Sequence, residues 1–576
     1  MRSRWVIIIG MVAMIYAAFV YYPKWKLPRT EATISWDVSG YYLYLPAFFI
    51  YHDLKNLDFK PGLDEQYYPS SSPYQSYTHT SGHQVMKYTC GLAILYSPFF
   101  LLAHILALLF GWPADGYSSI YQFFISLGGL VYALIGLVFF RRLLLRYFDD
   151  LVTAVVLAIL VFATNYFDYA SITGAMSHNY LFTLYASILI CIDQFYKSGS
   201  KKWFFITCFI MGLMVLIRPT EVLSKILLVA WGVSSWSGLK ERVQFYFSRI
   251  PMVVYGVILW AICPLIQGIY WKYVTGEWLV YSYQEQGFSW LEGHHILQGV
   301  LSYRAGWLVY TPIMILSLLG LIYLWIRAAG MRWVLTAFIL GSLYLTFAWD
   351  EWTYGGSLGQ RALIQHYPLY LLAAAPLIRD LLARNLSKYV LYSMIALSSY
   401  YNLWLTHQAH KGGIYEAGMM NKAYFWHTLF KPSNDLESKK LLDTNEPVVS
   451  WDEAAAKMIK DTVYQTDTAC AQASQAINLY DGLVPAGKLK VNTLVQIDLK
   501  EWDVWQMAQL ILQYSTQDKV EKTVMIRLHR FINNHEEKWI DLVTTSPLQY
   551  DHIKISVWNP SSQRICIKAL RLYGQK

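Results

Sequence analysis

Charge is scarce in this sequence. Asp, Glu, Lys and Arg make up 15% of 576 residues, against 55% hydrophobic residues, where soluble domains average about 25% charged. With a mean hydropathy of +0.29, that excludes a string of water-soluble domains, and it excludes intrinsic disorder. Cysteine is scarce too. Of six, Cys90, Cys191, Cys208 and Cys263 lie in or beside apolar runs, where a thiol packs as a small hydrophobe, so a disulfide scaffold is excluded. Only Cys470 and Cys566 belong to polar sequence, and they can pair only if the fold brings them together. A P-loop and a His-Glu-x-x-His zinc motif are both missing, which leaves a nucleotide-driven transporter without its motor. The net charge of +9 does not indicate nucleic acid, because the Lys and Arg fall in short clusters between apolar runs, as membrane topology requires.

What is abundant is apolar length and aromatic side chains. Aromatics reach 17%, with 23 Trp and 46 Tyr, the residue types that anchor helix ends at membrane interfaces. Met1-Arg2-Ser3-Arg4 precedes an apolar run from Trp5 to Tyr22, and Tyr21-Tyr22-Pro23-Lys24 is no small-residue cleavage site; the expectation is an uncleaved first helix starting in the cytoplasm. Further apolar runs fall near 92–110, 120–140, 152–168, 178–196, 203–217, 221–236, 250–273, 307–326, 332–349, 362–378 and 388–405. If all of them cross, the basic loops at Arg141/Arg142/Arg146, Lys197–Lys202, Lys240/Arg242/Arg249, Arg327/Arg332 and Arg379/Arg384/Lys388 lie outside together. Removing 92–110, which Pro98 and His104 are expected to interrupt, restores the positive-inside rule throughout. The expectation is about 11 transmembrane helices, the N-terminus inside, and 92–110 lying at the outer interface or re-entering. The long loop 23–119, the loop 169–177, the turn Arg218–Glu221 and the loops 274–306 and 350–361 then face outward, and so does the chain after 405.

The C-terminal part changes character. A polar linker is expected over 406–446, and from 447 to 576 hydrophobic residues alternate at period two. Leu494, Ile497 and Leu499; Leu510, Leu512 and Tyr514; Val524, Ile526 and Leu528; Ile553, Ile555 and Val557; and Ile565, Ile567 and Leu570 are separated by turns such as Asn533-Asn534 and Asn559-Pro560-Ser561. That pattern predicts an all-β antiparallel sandwich. Its Trp502, Trp505, Trp539 and Trp558 either stack on sugar rings or, as in most small sandwiches, fill the core. Residues 1–405 form the transmembrane domain.

Ionisable residues gather at the outer mouths. Asp37 lies in Ile34-Ser35-Trp36-Asp37-Val38-Ser39-Gly40-Tyr41-Tyr42, where a partly desolvated carboxylate suits a general base; otherwise it caps a helix beginning near Gly40. Ser177-His178-Asn179 and Ile217-Arg218-Pro219-Thr220-Glu221 form a second group. A lone outer guanidinium can grip a phosphate by two hydrogen bonds, unless Arg218 merely pairs with Glu221. A third group runs from Asp350-Glu351 through Gly355-Gly356 to Arg361; a Gly-rich turn with free N–H groups beside acids and a base suits a sugar phosphate. His79 and His83, with His294-His295, have imidazoles for a metal but no acidic or Cys partner at ligand spacing.

Over residues 1–405 this arrangement resembles the polytopic membrane glycosyltransferases of the C fold, which include protein O-mannosyltransferases, the aminoarabinose transferase and oligosaccharyltransferase subunits. The resemblance lies in Asp37 early in a long outer loop, in Ser177-His178, in Arg218-Pro219, and in the Gly-x-x-Gly-x-Arg segment from Gly356 to Arg361. Lys87-Tyr88-Thr89-Cys90-Gly91 is similar to the family's Tyr-Pro-x-Gly entry into a juxtamembrane helix, with Thr89 replacing the proline. Where the family has a second acid, this chain has His178, with Asp168 a turn or more earlier, which leaves open a possible divalent cation. The resemblance implies a bacterial inner-membrane enzyme, metal-independent or weakly metal-dependent. It would transfer a sugar from a polyprenyl-phosphate donor to a glycan, lipid or protein acceptor on the periplasmic side. It assigns Asp37 and His178 to catalysis, and Arg218, Arg361 and Lys87 to the donor phosphate. Tyr41, Tyr88, Glu221, Asp350, Glu351 and Gly356 go to acceptor or sugar. A lipid or glycan transporter or flippase and a non-catalytic envelope assembly subunit are the alternatives; a transporter or flippase would place charges near helix midpoints.

Overall fold

In the computed structural model the described residues are 1–70, 74–290, 294–328, 330–434, 438–439, 441–442, 451–464, 470–471, 475–498, 507–517, 519–532, 535–560 and 564–575. They form two units, Met1–Lys411 and Gly412–Lys576.

The first unit is built from apolar helices. Among the described residues, four are long and apolar enough to cross a membrane: Arg2–Lys26, Gly91–Phe110, Ser119–Leu144 and Ile250–Thr275. Others are shorter, such as Asp150–Phe162, Ile315–Ile326 and Arg332–Phe347, roughly 18–24 Å at 1.5 Å per residue. The run at 221–236 is not one helix. It folds as a 3-10 turn Pro219–Ser224 and a six-residue helix Lys225–Ala230, and it ends at Gly232, whose φ of 72° breaks the helical path.

The expected interruption of 92–110 does not occur either: Gly91–Phe110 is one helix that carries Pro98 inside it. Its partners run from one end of the helix array to its middle, where the Phe99 and Tyr132 ring centroids are 6.4 Å apart. A Cβ on Gly91 would sit 2.6 Å from the Ile217 nitrogen, the Tyr96 hydroxyl donates to the Ala175 carbonyl, and His104 is bonded to the Tyr121 hydroxyl at 2.6 Å.

The basic clusters gather at the opposite end. The N-terminal amino group meets Asp150 at 2.5 Å, and Arg141 donates to Ser3 at 2.8 Å. Arg146 and Lys197 both meet Asp193, at 2.5 and 3.1 Å. Arg332 donates to the Ser234 carbonyl at 3.1 Å, and Arg327 meets Asp380 at 3.3 Å. Individual helices connect the two ends. Ser177–Ser198 has His178 in its first turn and Lys197 in its last, about 30 Å apart. Lys201–Ile217 starts on lysine and delivers Arg218, and Tyr367–Leu382 starts beside His366 and carries Arg379 in its last turn.

A hairpin of β1 (Ser76–Thr78) and β2 (Gln84–Met86) lies in the first long loop, with Ser76 opposite Met86. Its closed base, where the Lys87 N–H donates to the Gln75 carbonyl at 2.8 Å, brings Tyr74 next to Lys87 and Tyr88.

The second unit is an antiparallel sandwich preceded by the helix Lys422–Thr428. Its strands are β3 (Lys457–Val463), β4 (Cys470–Ala471), β5 (Gln475–Gly482), β6 (Lys488–Asp498), β7 (Gln509–Thr516), β8 (Lys519–Arg527), β9 (Glu537–Thr545), β10 (His552–Asn559) and β11 (Arg564–Gln575). One sheet has the order β5-β10-β7-β8; the other has β3-β11-β6-β9, with β4 also on β11. Leu510, Leu512, Ile553, Ile555 and Val557 of the first sheet share a core with Val495, Ile497, Ile565, Ile567 and Leu570 of the second. A bulge between Ile567 and Ala569 explains why the buried series steps from 567 to 570.

Two expectations are corrected here. In β6 the buried face is Val491, Thr493, Val495 and Ile497, so Leu494 points the other way. Leu528 sits in a 3-10 turn, not a strand. Trp558 is exposed, and Trp539 lies outside the buried core under the Arg571 guanidinium at 4.5 Å. Leu499, Trp502, Trp505, Asn533, Asn534 and Ser561 fall outside the described residues. Cys470 is the register partner of Cys566, and Cys566 is disulfide-bonded.

Candidate active site

Asp37 does not cap a helix near Gly40. The helix Trp36–Tyr42 already begins before it, with Trp36 in the left-handed region at φ 48° and its N–H given to the Pro69 carbonyl at 2.8 Å. A non-glycine residue there stores about 1–3 kcal/mol. The carboxylate is held from three sides. Oδ1 accepts from the Tyr74 hydroxyl at 2.9 Å and the Tyr88 hydroxyl at 2.7 Å, and Oδ2 accepts from Arg361 Nη2 at 2.5 Å. Gly40 admits the Tyr88 ring: a Cβ there would lie 2.4 Å from it. Burial pushes the Asp37 carboxyl up, but the Arg361 charge and the bonds from Tyr88, Tyr74 and Arg361 outweigh it and leave the group below the ordinary carboxylate range. Burial and the Asp37 charge push both phenols up, so they stay donors.

Lys87 lies beside this acid, its ammonium 5.1, 5.9 and 5.5 Å from the rings of Tyr74, Tyr88 and Tyr283. Burial lowers its pKa, an effect that Asp37 partly opposes. Tyr41 packs against Tyr88, the ring centroids 4.4 Å apart and the planes tilted by 33°. Burial pushes its phenol up, and the charges of Arg218, Asp37 and Arg361 all act on it.

Around Arg218 a second polar lobe closes. Glu221 does not pair with Arg218: its carboxylate accepts from Tyr185 at 2.6 Å, Gln365 Nε2 at 2.7 Å and His366 Nε2 at 3.4 Å. Gln365 must turn its NH2 to that acceptor-only carboxylate, which aims its oxygen at His178 Nδ1, 2.7 Å away. His178 Nδ1 is then a donor, and it cannot also accept from Arg218 Nη1, 3.2 Å away. The network therefore assigns the His178 proton to Nδ1. Arg218 keeps an N–H to give, and Nε2 stands as an acceptor with no hydrogen-bond partner among the described residues. Arg218 lies 5.5 Å from the Tyr354 ring centroid. A narrow cavity of about 10 Å³, room for about one water, is lined by Arg218, Glu221, Tyr354, Gln365 and His366, among others.

The structure thus brings together Asp37, Tyr41, Lys87, Tyr88, His178, Arg218, Glu221 and Arg361. It separates Asp350, Glu351 and Gly356 from them. Asp350 accepts from Gly287 N at 2.8 Å and Ser289 Oγ at 2.6 Å, which ties two loops together. Glu351 accepts from the Thr353 hydroxyl, and Gly356 is exposed. Arg361 turns to Asp37 instead, because the 3-10 segment Arg361–His366 follows the Gly359 turn, with φ 63°, and leads its first residue inward. Asp168 is engaged elsewhere, with His410 at 2.6 Å and Thr173 at 2.9 Å.

Sequence reasoning missed Tyr74, Tyr283, Tyr354, Gln365 and His366. A signal existed for the last two: a polar pair opening an otherwise apolar run marks a functional position.

The histidines do not converge on a metal. His79 is bonded to Ser81, His83 to Asn56 and His294 to the Tyr344 carbonyl. Among the described residues no group of three His, Cys, Asp or Glu could hold an ion. The partners of Asp37 are a guanidinium and two phenols, a donor set that does not fit a divalent cation.

No family model matches this sequence, and no curated protein matches it. Among solved structures, the arabinosyltransferase EmbB from Mycobacterium smegmatis is similar at a TM-score of 0.41 and 11% identity, over 99% of this chain and 65% of that one. A family GH115 4-O-methyl-α-glucuronidase with specificity for decorated arabinogalactans is similar at a TM-score of 0.14 and 9% identity, over 70% of this chain and 46% of that one. This chain therefore spans less than two thirds of the arabinosyltransferase's length. Similarity at these TM-scores assigns no activity, and the chemistry of the cluster stands on its own residues.

Proposed function

We propose that this chain is an integral membrane glycosyltransferase that moves a sugar from a polyprenyl-phosphate donor to an acceptor hydroxyl on the outer, periplasmic face of a bacterial inner membrane. One observation carries the reading: a carboxylate, Asp37, meets a guanidinium, Arg361, from 324 positions away at 2.5 Å, at a mouth that also holds Arg218 and Lys87. A lipid-linked donor carries its own leaving group, so this chemistry needs a base for the acceptor and cations for the departing phosphate, and no nucleotide motif. The acceptor oxygen bonds to the sugar's anomeric carbon, and its proton passes to Asp37. The bond from that carbon to the phosphate oxygen breaks, and its electron pair leaves on the polyprenyl phosphate, which Arg361, Arg218 and Lys87 hold.

The separation of a basic end from a tyrosine-rich end supports the N-terminus inside and the site outside. Helices alternating between those ends support eleven crossings, with 91–110 at the outer surface and the broken segment after Pro219 counted as one. The charged groups lie at the mouths of the helices, not midway along them, which favours transfer over flipping.

The test is Asp37→Asn in a purified assay supplied with a polyprenyl-phosphate sugar. Loss of a general base lowers turnover by about 10²–10⁴-fold; undiminished turnover removes Asp37 from that role.

A further inference from the structure

Asp37 as it stands is a poor base: three of its roughly four acceptor sites are taken, and its charge is neutralised by Arg361. Oδ1 already receives two hydroxyl protons, from Tyr74 and Tyr88, and Oδ2 is covered by Arg361 at 2.5 Å. Arg361 is equally committed. One nitrogen serves Asp37, while its buried Nε has no hydrogen-bond partner, so its donor capacity is incomplete until something else arrives. The pair is not sealed: the two side chains keep 16% and 21% of their surface exposed, and a ligand entering the mouth reaches both.

We propose that the Asp37–Arg361 pair is an interlock, in which the donor's phosphate competes with Asp37 for Arg361 and thereby frees the base. The proposal rests on the glycosyltransferase reading of the site and assigns its regulation. A phosphate group, with two oxygens side by side, offers the guanidinium the bidentate, charge-assisted partner that a single carboxylate oxygen at one nitrogen does not, and it can fill the vacant Nε–H. As the guanidinium turns to the phosphate, Oδ2 loses its covering and faces the acceptor. Without donor, the base stays neutralised, and adventitious hydroxyls are not activated. Substrate order follows: donor first, acceptor second. Coupling is reciprocal, so a carboxylate that holds Arg361 back weakens phosphate binding, and removing that carboxylate strengthens it. The residue needed for turnover therefore opposes donor affinity.

Binding of farnesyl phosphate to the purified full chain in detergent tests this, with inorganic phosphate and farnesol as comparison ligands. The expected result is that Asp37→Asn binds farnesyl phosphate about tenfold tighter than wild type, within the usual range of coupling between sites. Arg361→Gln binds it more weakly, and the double variant shows no gain. Asp37→Ser is the second neutral variant should Asn fail to fold. Farnesol unchanged across the series locates the effect at the phosphate; a parallel gain for inorganic phosphate assigns it to the free anion instead of the lipid. Equal or weaker binding by both neutral variants, with Arg361→Gln still impaired, overturns the interlock and leaves the phosphate site standing. Unchanged affinity in Arg361→Gln also overturns it, with Arg218 left as the phosphate ligand. If neither wild type nor Asp37→Asn binds any phosphate, the interlock and the glycosyltransferase reading fall together.

Discussion

At the scale of single residues, the site depends on one absent side chain and one ion pair. Gly40 faces the Tyr88 ring, where a methyl group would lie 2.4 Å from a ring carbon. Gly40→Ala is expected to push Tyr88 off Asp37 and lower turnover about tenfold, while mean helix content is unchanged by circular dichroism. Loss of one hydrogen bond to a charged group, about 1.5–3 kcal/mol, is the source of that magnitude. The ion pair sets a pH dependence. The folded Asp37 carboxyl lies below the ordinary range, so its ionised form stabilises the fold above the unfolded value of about 3.9. That contribution is lost as pH falls through the folded value. Arg361→Gln removes the opposing charge and leaves burial's upward push. The variant is expected to lose about 3 kcal/mol at neutral pH and to begin acid unfolding at higher pH than wild type, which thermal midpoints between about pH 3 and 7 check. Asp37 and Arg361 were legible as chemistry in the sequence, each beside aromatic or glycine residues. Their pairing was not, because no local pattern encodes a contact across 324 positions.

At the scale of elements, the strands were easier to read than the helices' breaks. Alternation over Leu510–Tyr514 and Ile553–Val557 marked β7 and β10 because a half-buried strand has a strict period of two. β6 misled, because Leu494 occupies the open face of a strand whose core side is Val491, Val495 and Ile497. The run at 221–236 was equally apolar whether helix or broken turn, so only Gly232 and the Pro219 start hinted at the break. The 3-10 segment Arg361–His366 is the element that assembles the site: its first residue reaches Asp37, and its last two reach Glu221. Gln365 is the joint between lobes, and it holds His178 in one tautomer. Gln365→Leu is expected to mix the Nδ1–H and Nε2–H forms of His178, seen in ¹⁵N shifts of labelled histidine, and to lower turnover about tenfold. A single tautomer in the variant would show that Gln365 does not set it.

At the scale of the whole first unit, charge placement and site placement are one statement. Ser177–Ser198 and Lys201–Ile217 each join a lysine-bearing end to a site-bearing end, and in the sequence this was visible as five basic loops that agree on a side. An apolar helix tolerates burial in lipid in either direction, so only its flanks choose; Lys and Arg favour the cytoplasmic side. The free cysteines among the described residues, Cys90, Cys191, Cys208 and Cys263, are buried, which leaves a low background for labelling. A cysteine placed at exposed Ser200, between Lys197 and Lys201, is expected to react with a membrane-impermeant maleimide only after the inner membrane is opened. One at exposed Ser81, in the hairpin turn, is expected to react in spheroplasts with that membrane intact. Ser81→Cys protected and Ser200→Cys labelled would invert the protein and put Asp37 and Arg361 on the cytoplasmic side, out of reach of an outer-face acceptor. Labelling of both positions in intact spheroplasts would instead mean that an even number of crossings separates them, as when Gly91–Phe110 also spans, and the basic end would need another explanation than the positive-inside rule.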